Sequence, residues 1–95
     1  MSRYNRKVDS NQNEIVSALE QVGCRVLDLS AVGQGCPDLL ICTGAVLWLC
    51  EIKNADGRNK IEFSQEQFHK EWPVYVVRSV EEAIAARNKA VRGKR

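Results

Sequence analysis

The sequence predicts an α/β domain, a central mixed sheet flanked by helices, with its elements in the order α-β-β-β-α-β-α. Three observations predict it. Two apolar runs, residues 39–42 and Val46–Ile52, lie either side of a Thr43-Gly44-Ala45 turn, the pattern of a β-hairpin. Ile15, Val16, Leu19 and Val22 recur at helical spacing and are followed by Gly23, a common helix terminator. Val74-Tyr75-Val76-Val77 is uniformly apolar, as expected of a strand inside a sheet covered on both faces.

In chain order, residues 1–9 are polar, and Asp9 or Ser10 is the expected cap of the first helix. Glu14 flanks the apolar stripe of that helix. It either reaches inward over a sheet edge or stays at the surface as a first-turn acid favoured by the helix dipole. Residues 25–29 read as a strand, with Asp28 as a strand-end or turn residue, and 31–36 as a loop. Gly33-Gln34-Gly35 completes neither a dinucleotide fingerprint nor a P-loop, so no nucleotide cofactor is expected. Its glycines allow close approach of a phosphate backbone, or simply make a turn. Pro37 opens the next strand, where its missing N–H does no harm.

Val46–Ile52 is the most apolar stretch and is expected to be the central strand. Residues 54–61, with Asp56-Gly57, read as an exposed loop. Ser64 then serves as a helix cap, with Gln67 completing a capping box and Phe63 and Phe68 a hydrophobic staple. Phe68 and Trp72 share the inner face of that helix, and His69 beside them reads as an exposed or packing side chain. Pro73 stops the helix. Ser79 and Glu82 form a second capping box, opening a last helix with Val80, Ile84 and Val91 inward.

The hairpin concentrates charge at one end. Asp38 opens the first run and Glu51 and Lys53 close the second, so pairing brings together acids thirteen positions apart. Strand alternation puts Glu51 and Lys53 on one face and Cys50 and Ile52 on the other. Two carboxylates held together repel unless positive charge lies between them. Lys53 supplies one such charge and a divalent cation the remainder; hard oxygen ligands suit Mg²⁺, which takes one or two carboxylates plus waters and substrate phosphates. This is the outline of a phosphodiester-cleaving site. The bland alternative is a surface ion pair, with a median contribution of about 0–1 kcal/mol.

Pro37-Asp38 followed by Glu51-Ile52-Lys53 resembles the Pro-Asp…Asp/Glu-x-Lys signature of the restriction-endonuclease-like nuclease superfamily. Glu14, the run Gly33-Gln34-Gly35-Cys36-Pro37-Asp38-Leu39-Leu40, Glu51-Ile52-Lys53 and Gln67 after Phe63-Ser64-Gln65-Glu66 are similar to the VRR-nuclease family, in order and over residues 9–86. The resemblance implies a restriction-endonuclease-like core and a Mg²⁺-dependent endonuclease, with Mn²⁺ able to substitute. It implies DNA as substrate, branched DNA such as Holliday junctions in particular, and a two-fold homodimer. Asp38, Glu51 and the Ile52 carbonyl would then hold the ion, with Glu14 on a metal water or a second ion. Lys53 would orient water or stabilise charge, and Gln67 would help order the site, in competition with its capping role. The rivals are the same fold nicking flaps, mismatched duplex or RNA, and a non-catalytic nucleic-acid-binding module. The mark of the last would be a missing acid or lysine, and none is missing.

Composition sets the remaining bounds. Ninety-five residues suit a single domain, 1–95, with 1–8 and 92–95 as flexible basic ends. At 44% hydrophobic and 27% charged the chain is ordinary globular material. It contains neither an 18-residue apolar stretch nor a signal-peptide pattern, so the expectation is a cytoplasmic protein without membrane contact. Cys24, Cys36, Cys42 and Cys50 form no Cys-x-x-Cys pair and His69 is the only histidine, so buried thiols are expected rather than zinc or disulfides. The net charge of +2 is too small to argue for a polyanion, but its distribution is uneven. Arg3, Arg6 and Lys7 cluster at the start, Arg58 and Lys60 share a loop, and these residues with Gln34 and Gly35 are the expected DNA contacts. Trp48, Trp72 and the basic tail are the candidates for a dimer interface.

Overall fold

A two-residue turn at Gly44 and Ala45 joins the strands that hold the charged cluster. Gly44 takes a positive φ of 62°, and Thr43 and Val46 face each other across the turn. Glycine in the first turn position matches the twist of the flanking strands without a Cβ clash. The structure, a computed structural model, describes residues 11–54 and 63–93. Its elements are α1 (Gln12–Gln21), β1 (Arg25–Asp28), β2 (Leu39–Thr43), β3 (Val46–Ile52), α2 (Phe63–Glu71), β4 (Val74–Val77) and α3 (Val80–Val91). This is the expected order of α and β elements.

The four strands form one sheet in the order β1-β2-β3-β4. β1, β2 and β3 pair antiparallel, and β4 joins β3 in parallel after the crossover through α2, which makes the sheet mixed. Parallel neighbours need such a crossover, whereas antiparallel ones need only a turn. β1 ends at Asp28, yet pairing runs one bond further, Leu29 N–H donating to the Asp38 carbonyl at 2.8 Å.

One face of the sheet is packed and the other only partly covered. Leu39, Ile41, Trp48, Cys50, Ile52 and Val77 share the packed face with Ile15 and Leu19 of α1 and Ala83, Ala86 and Ala90 of α3. Each large aliphatic buried there contributes about 1.5–3 kcal/mol. Three alanines at helical spacing let α3 approach the sheet closely, and this corrects the inward assignment of Val91, which is 46% exposed. Val80 and Ile84 are half-buried against the core. Thr43 brings a hydroxyl into this face and satisfies it twice, accepting from Trp48 Nε1 at 3.0 Å and meeting Cys24 Sγ at 3.3 Å.

The opposite face carries Leu27, Leu47 and Val76, all exposed. β4 is therefore not covered on both sides as its apolar sequence suggested; among the described residues it is an edge strand, and α1 and α3 both pack on the other face. Trp72 likewise stacks on Phe68, with ring centroids 5.5 Å apart, but is 53% exposed rather than internal. Among the described residues, no helix is long and apolar enough to cross a membrane.

The helix ends show where local signals were outcompeted. The N-cap of α1 is Asn11, not Asp9 or Ser10, and its side chain makes no capping bond. Instead Asn11 Nδ2 donates to the carbonyls of Lys53 (3.2 Å) and Arg78 (3.0 Å), tying α1 to the ends of β3 and β4. Asn11→Ala removes both bonds and is expected to cost about 1–2 kcal/mol in urea unfolding. Asn11→Asp should cost more, since a carboxylate would face two carbonyl oxygens; an Asp variant as stable as the parent would refute the tie. At α3 the Ser79 cap holds, accepting from Glu82 N at 3.1 Å. Glu82 does not close the box on Ser79; it accepts from Arg78 N at 2.6 Å.

Candidate functional site

The site forms where β2 begins and β3 ends. Extending the β2–β3 register by one residue from Leu39↔Cys50 sets Asp38 opposite Glu51, so both acids rise from the same face. Asp38 precedes β2 and is fixed from two sides. Its carbonyl accepts from Leu29 N, and its carboxylate Oδ2 accepts from Ile52 N at 2.8 Å. Pro37, buried just before it, marks the point where β2 pairing stops and a side chain takes over as acceptor.

Glu51 and Lys53 are not a surface pair. Glu51 is 2% exposed and Lys53 5%, and Lys53 Nζ lies 3.3 Å from Glu51 Oε2. The Lys53 backbone is also held, its N–H donating to the Val77 carbonyl at 3.0 Å and its carbonyl accepting from Asn11. A third side chain completes the cluster. Gln65 Nε2 donates to Glu51 Oε2 at 2.7 Å, and Gln65 Oε1 accepts from Lys53 Nζ at 3.2 Å. Glu51 Oε2 thus receives two donors, while Glu51 Oε1 is buried with no hydrogen-bond partner among the described residues.

The electrostatics follow from this crowding. Burial, and after it the negative charge of Asp38, push the Glu51 carboxyl up from the ordinary 4.5 to about 7, against the opposing pull of Lys53 and the Lys53 and Gln65 hydrogen bonds. The Cys36 thiol is raised by burial and then by Glu51 and Asp38. Cys50, behind the acids on the packed face, is pushed up to about 12, by burial first and then by Asp38 and Glu51. Such a thiol stays protonated and inert. All four cysteines are free. His69 is lowered by burial and then by the charge of Lys53.

Between about pH 4.5 and 7, Glu51 keeps its proton when the metal-free chain is folded and loses it when unfolded. The unfolded chain binds fewer protons there, so this group makes stability fall as pH rises through that window. A cation that needs the carboxylate should stabilise the protein more at about pH 8 than at about pH 6, where the proton competes. Thermal melts with and without Mg²⁺ at both pH values measure this, and equal shifts would contradict it.

The donor set fits a hard divalent cation. Two carboxylates stand opposite one another in the strand register, and one Glu51 carboxylate oxygen is buried with no partner among the described residues. No group of three or more His, Cys, Asp or Glu side chains is placed to hold a metal among the described residues. Two carboxylates with water are what Mg²⁺ takes, whereas a closed zinc site would need four ligands.

The remaining expected residues fare differently. Glu14 is exposed in the first turn of α1, the position of a surface acid. The Ile52 side chain belongs to the core and its N–H goes to Asp38. Gln67 is exposed, and the structure brings Gln65 to the acids in its place. α2 already includes Phe63, so Ser64 is a helical residue and not the cap of a box closed by Gln67. Two residues turn a helix by about 200°, so Gln65 and Gln67 cannot face the same way. The signal available in sequence was the recurrence of Gln65, Phe68, His69 and Trp72 along one helical stripe. Gln34 is exposed with a φ of 58°, beside Gly35 at 81°, in the loop leading to Asp38. Arg3, Arg6, Lys7, Arg58 and Lys60 lie outside the described residues.

No family model, curated protein or solved structure matches this chain.

Proposed function

We propose that this chain is a divalent-metal-dependent endonuclease of the restriction-endonuclease-like type, similar to VRR-nucleases, that hydrolyses phosphodiester bonds in branched DNA. One observation carries the reading. Asp38 and Glu51 rise opposite each other, Glu51 pairs with the buried Lys53, and among the described residues Glu51 keeps a buried oxygen without a partner. Burying Glu51 and Lys53 beside the half-buried Asp38 costs several kcal/mol per buried ion, a cost that a ligand site or catalytic task accounts for. A structural ion pair would not need the second acid.

Asp38 and Glu51 would hold Mg²⁺ or Mn²⁺. When bound, the ion supplies Lewis-acid polarisation of the scissile phosphate and a water acidic enough to attack near neutral pH. Lys53 contributes a positive charge beside Glu51, where negative charge would build on the phosphate as the attacking oxygen arrives. Asp38, anchored by the Ile52 N–H and the Leu29–Asp38 backbone bond, is pre-positioned and loses little freedom on binding. The loop before Asp38, with Gln34 exposed and Gly35 half-buried, can follow a phosphate backbone. A homodimer matches the two-fold symmetry of a four-way junction, and exposed Leu27, Leu47 and Val76 offer apolar surface for one.

The test is cleavage of labelled four-way junction, flap and linear duplex, with and without magnesium, alongside mass by light scattering. Magnesium-dependent nicking of the junction over the duplex, by a dimer, is expected. Preferential cutting of flaps or RNA would redirect the substrate, and binding without cleavage under any divalent ion would select the non-catalytic module.

A further inference from the structure

We propose that the exposed ring of Trp72 is a stacking platform for an unpaired nucleobase, seated in an apolar groove that leads along β3 to the acids. The proposal rests on the endonuclease reading above for its substrate, and it names what the site would recognise in branched DNA.

The groove has a structural origin. β4 begins at Val74, opposite Leu49, so residues 46–48 of β3 have no strand neighbour on that side among the described residues. A groove of about 640 Å³ opens there, with Leu47, Leu49, Trp72, Pro73 and Gly93 among its walls. Small-ligand sites commonly occupy about 300–1,000 Å³. Strand alternation puts Leu47, Leu49 and Glu51 on one face of β3, so the apolar wall leads directly to the carboxylate two residues on.

Trp72 is aimed by α2. Its N–H donates to the Phe68 carbonyl at 2.8 Å, so it continues the helical turn beyond Glu71. Seven residues turn a helix by about 700°, nearly two full turns, so Trp72 lies on the side from which Gln65 meets Glu51. The two are separated by about 10 Å along the axis, the length of roughly three stacked nucleotides. Phe68 braces the indole, with centroids 5.5 Å and planes 21° apart, so little freedom is lost when a further ring arrives. Trp72 nevertheless stays 53% exposed. An aromatic braced on one side and open on the other can extend its stack by one base.

Charge favours a nucleic acid as the occupant. Gly93, at the end of the groove, follows the exposed Arg92, and Lys94 and Arg95 come next in the sequence. Cationic groups beside an aromatic platform hold single strands without reading their sequence. In a duplex each base is already stacked on both sides, so only a base released at a branch can join Trp72. A chain of 95 residues would thereby prefer branched DNA with no separate specificity domain.

Binding measured at fixed salt without divalent ion, so that nothing is cut, tests the platform. The probes are a splayed fork with single-stranded arms and a blunt duplex of equal length. Trp48 is buried and Trp72 exposed, so quenching of tryptophan emission by DNA reports Trp72. The fork should quench the parent and the duplex should not. Trp72→Ala should bind the fork about 10- to 100-fold more weakly, with duplex affinity within about two-fold, and Trp72→Phe should recover most of the fork affinity. Parental fork affinity in Trp72→Ala, or an equal loss on both DNAs, overturns the inference. So does a Trp72→Ala protein that falls from dimer to monomer by light scattering, because a second copy then occupies the groove. If Trp72→Ala does not fold, the parent's quenching decides alone, and its absence overturns the inference. Magnesium-dependent cleavage by the parent keeps the endonuclease reading in all these cases. Fork-specific quenching in a parent that cuts nothing with any divalent ion would keep the platform and overturn the endonuclease reading alone.

Discussion

Asp38→Asn is expected to lower magnesium-dependent cleavage by about 10²–10³-fold or more, while the metal-free protein at about pH 8 becomes at least as stable as the parent. The two outcomes have one cause. Asp38 Oδ2 accepts the Ile52 N–H, and an asparagine oxygen can do the same, so the local fold is kept. What is lost is a negative charge facing a second, nearly inaccessible one. That charge is the second-largest influence raising Glu51 to about 7. Without it Glu51 ionises at lower pH, and the cost of holding two anions together in the metal-free state disappears. Binding sites commonly trade stability for function in this way. Cleavage assays and urea unfolding without metal measure the two halves. Near-parental cleavage would remove Asp38 from the site, and a marked loss of metal-free stability would mean its carboxylate is chiefly structural.

Lys53→Met should be the most destabilising substitution in the site, by about 3–5 kcal/mol, because it leaves buried charge uncompensated. The methionine retains much of the lysine stem, so the loss is mainly electrostatic. Its pH dependence carries the sign. With Lys53 gone, Glu51 loses both its ion pair and its strongest opposing influence, and its carboxyl is pushed further up. At about pH 5 the protonated Glu51 no longer repels Asp38, so the penalty should shrink; at about pH 8 it should be greatest. Cleavage should fall by about 10²-fold or more at every pH. A destabilisation of equal size at both pH values would mean that Lys53 matters through its packing.

The parts of this molecule that were legible in sequence are those set by short-range rules. The hairpin followed from Gly44 between two apolar runs, and the meeting of Asp38 with Glu51 and Lys53 followed from the hairpin. The Ser79 cap followed from its spacing to Glu82. Failures came where two local signals competed or where tertiary packing decided. Asn11 is a good capping residue, but it serves two carbonyls from distant strands instead. Ser64 and Gln67 spell a capping box, yet α2 starts before Ser64, and a shift of two positions exchanges Gln67 for Gln65. Periodicity fixes which residues share a helix face, but not which face meets the site. The uniformly apolar β4 suggested a strand buried on both sides because composition cannot say that both long helices choose the same face. Alanines dominate the buried side of α3 for a similar reason: hydrophobic size predicts burial poorly where elements approach closely.

Crystals soaked in Mn²⁺ and measured at the manganese absorption edge would locate the ion. An anomalous peak is expected between Asp38 and Glu51, about 2.1 Å from one oxygen of each, with Glu51 Oε1 rather than Oε2 as the ligand. A peak elsewhere, or none at saturating manganese, would contradict the assignment of Asp38 and Glu51 as ligands.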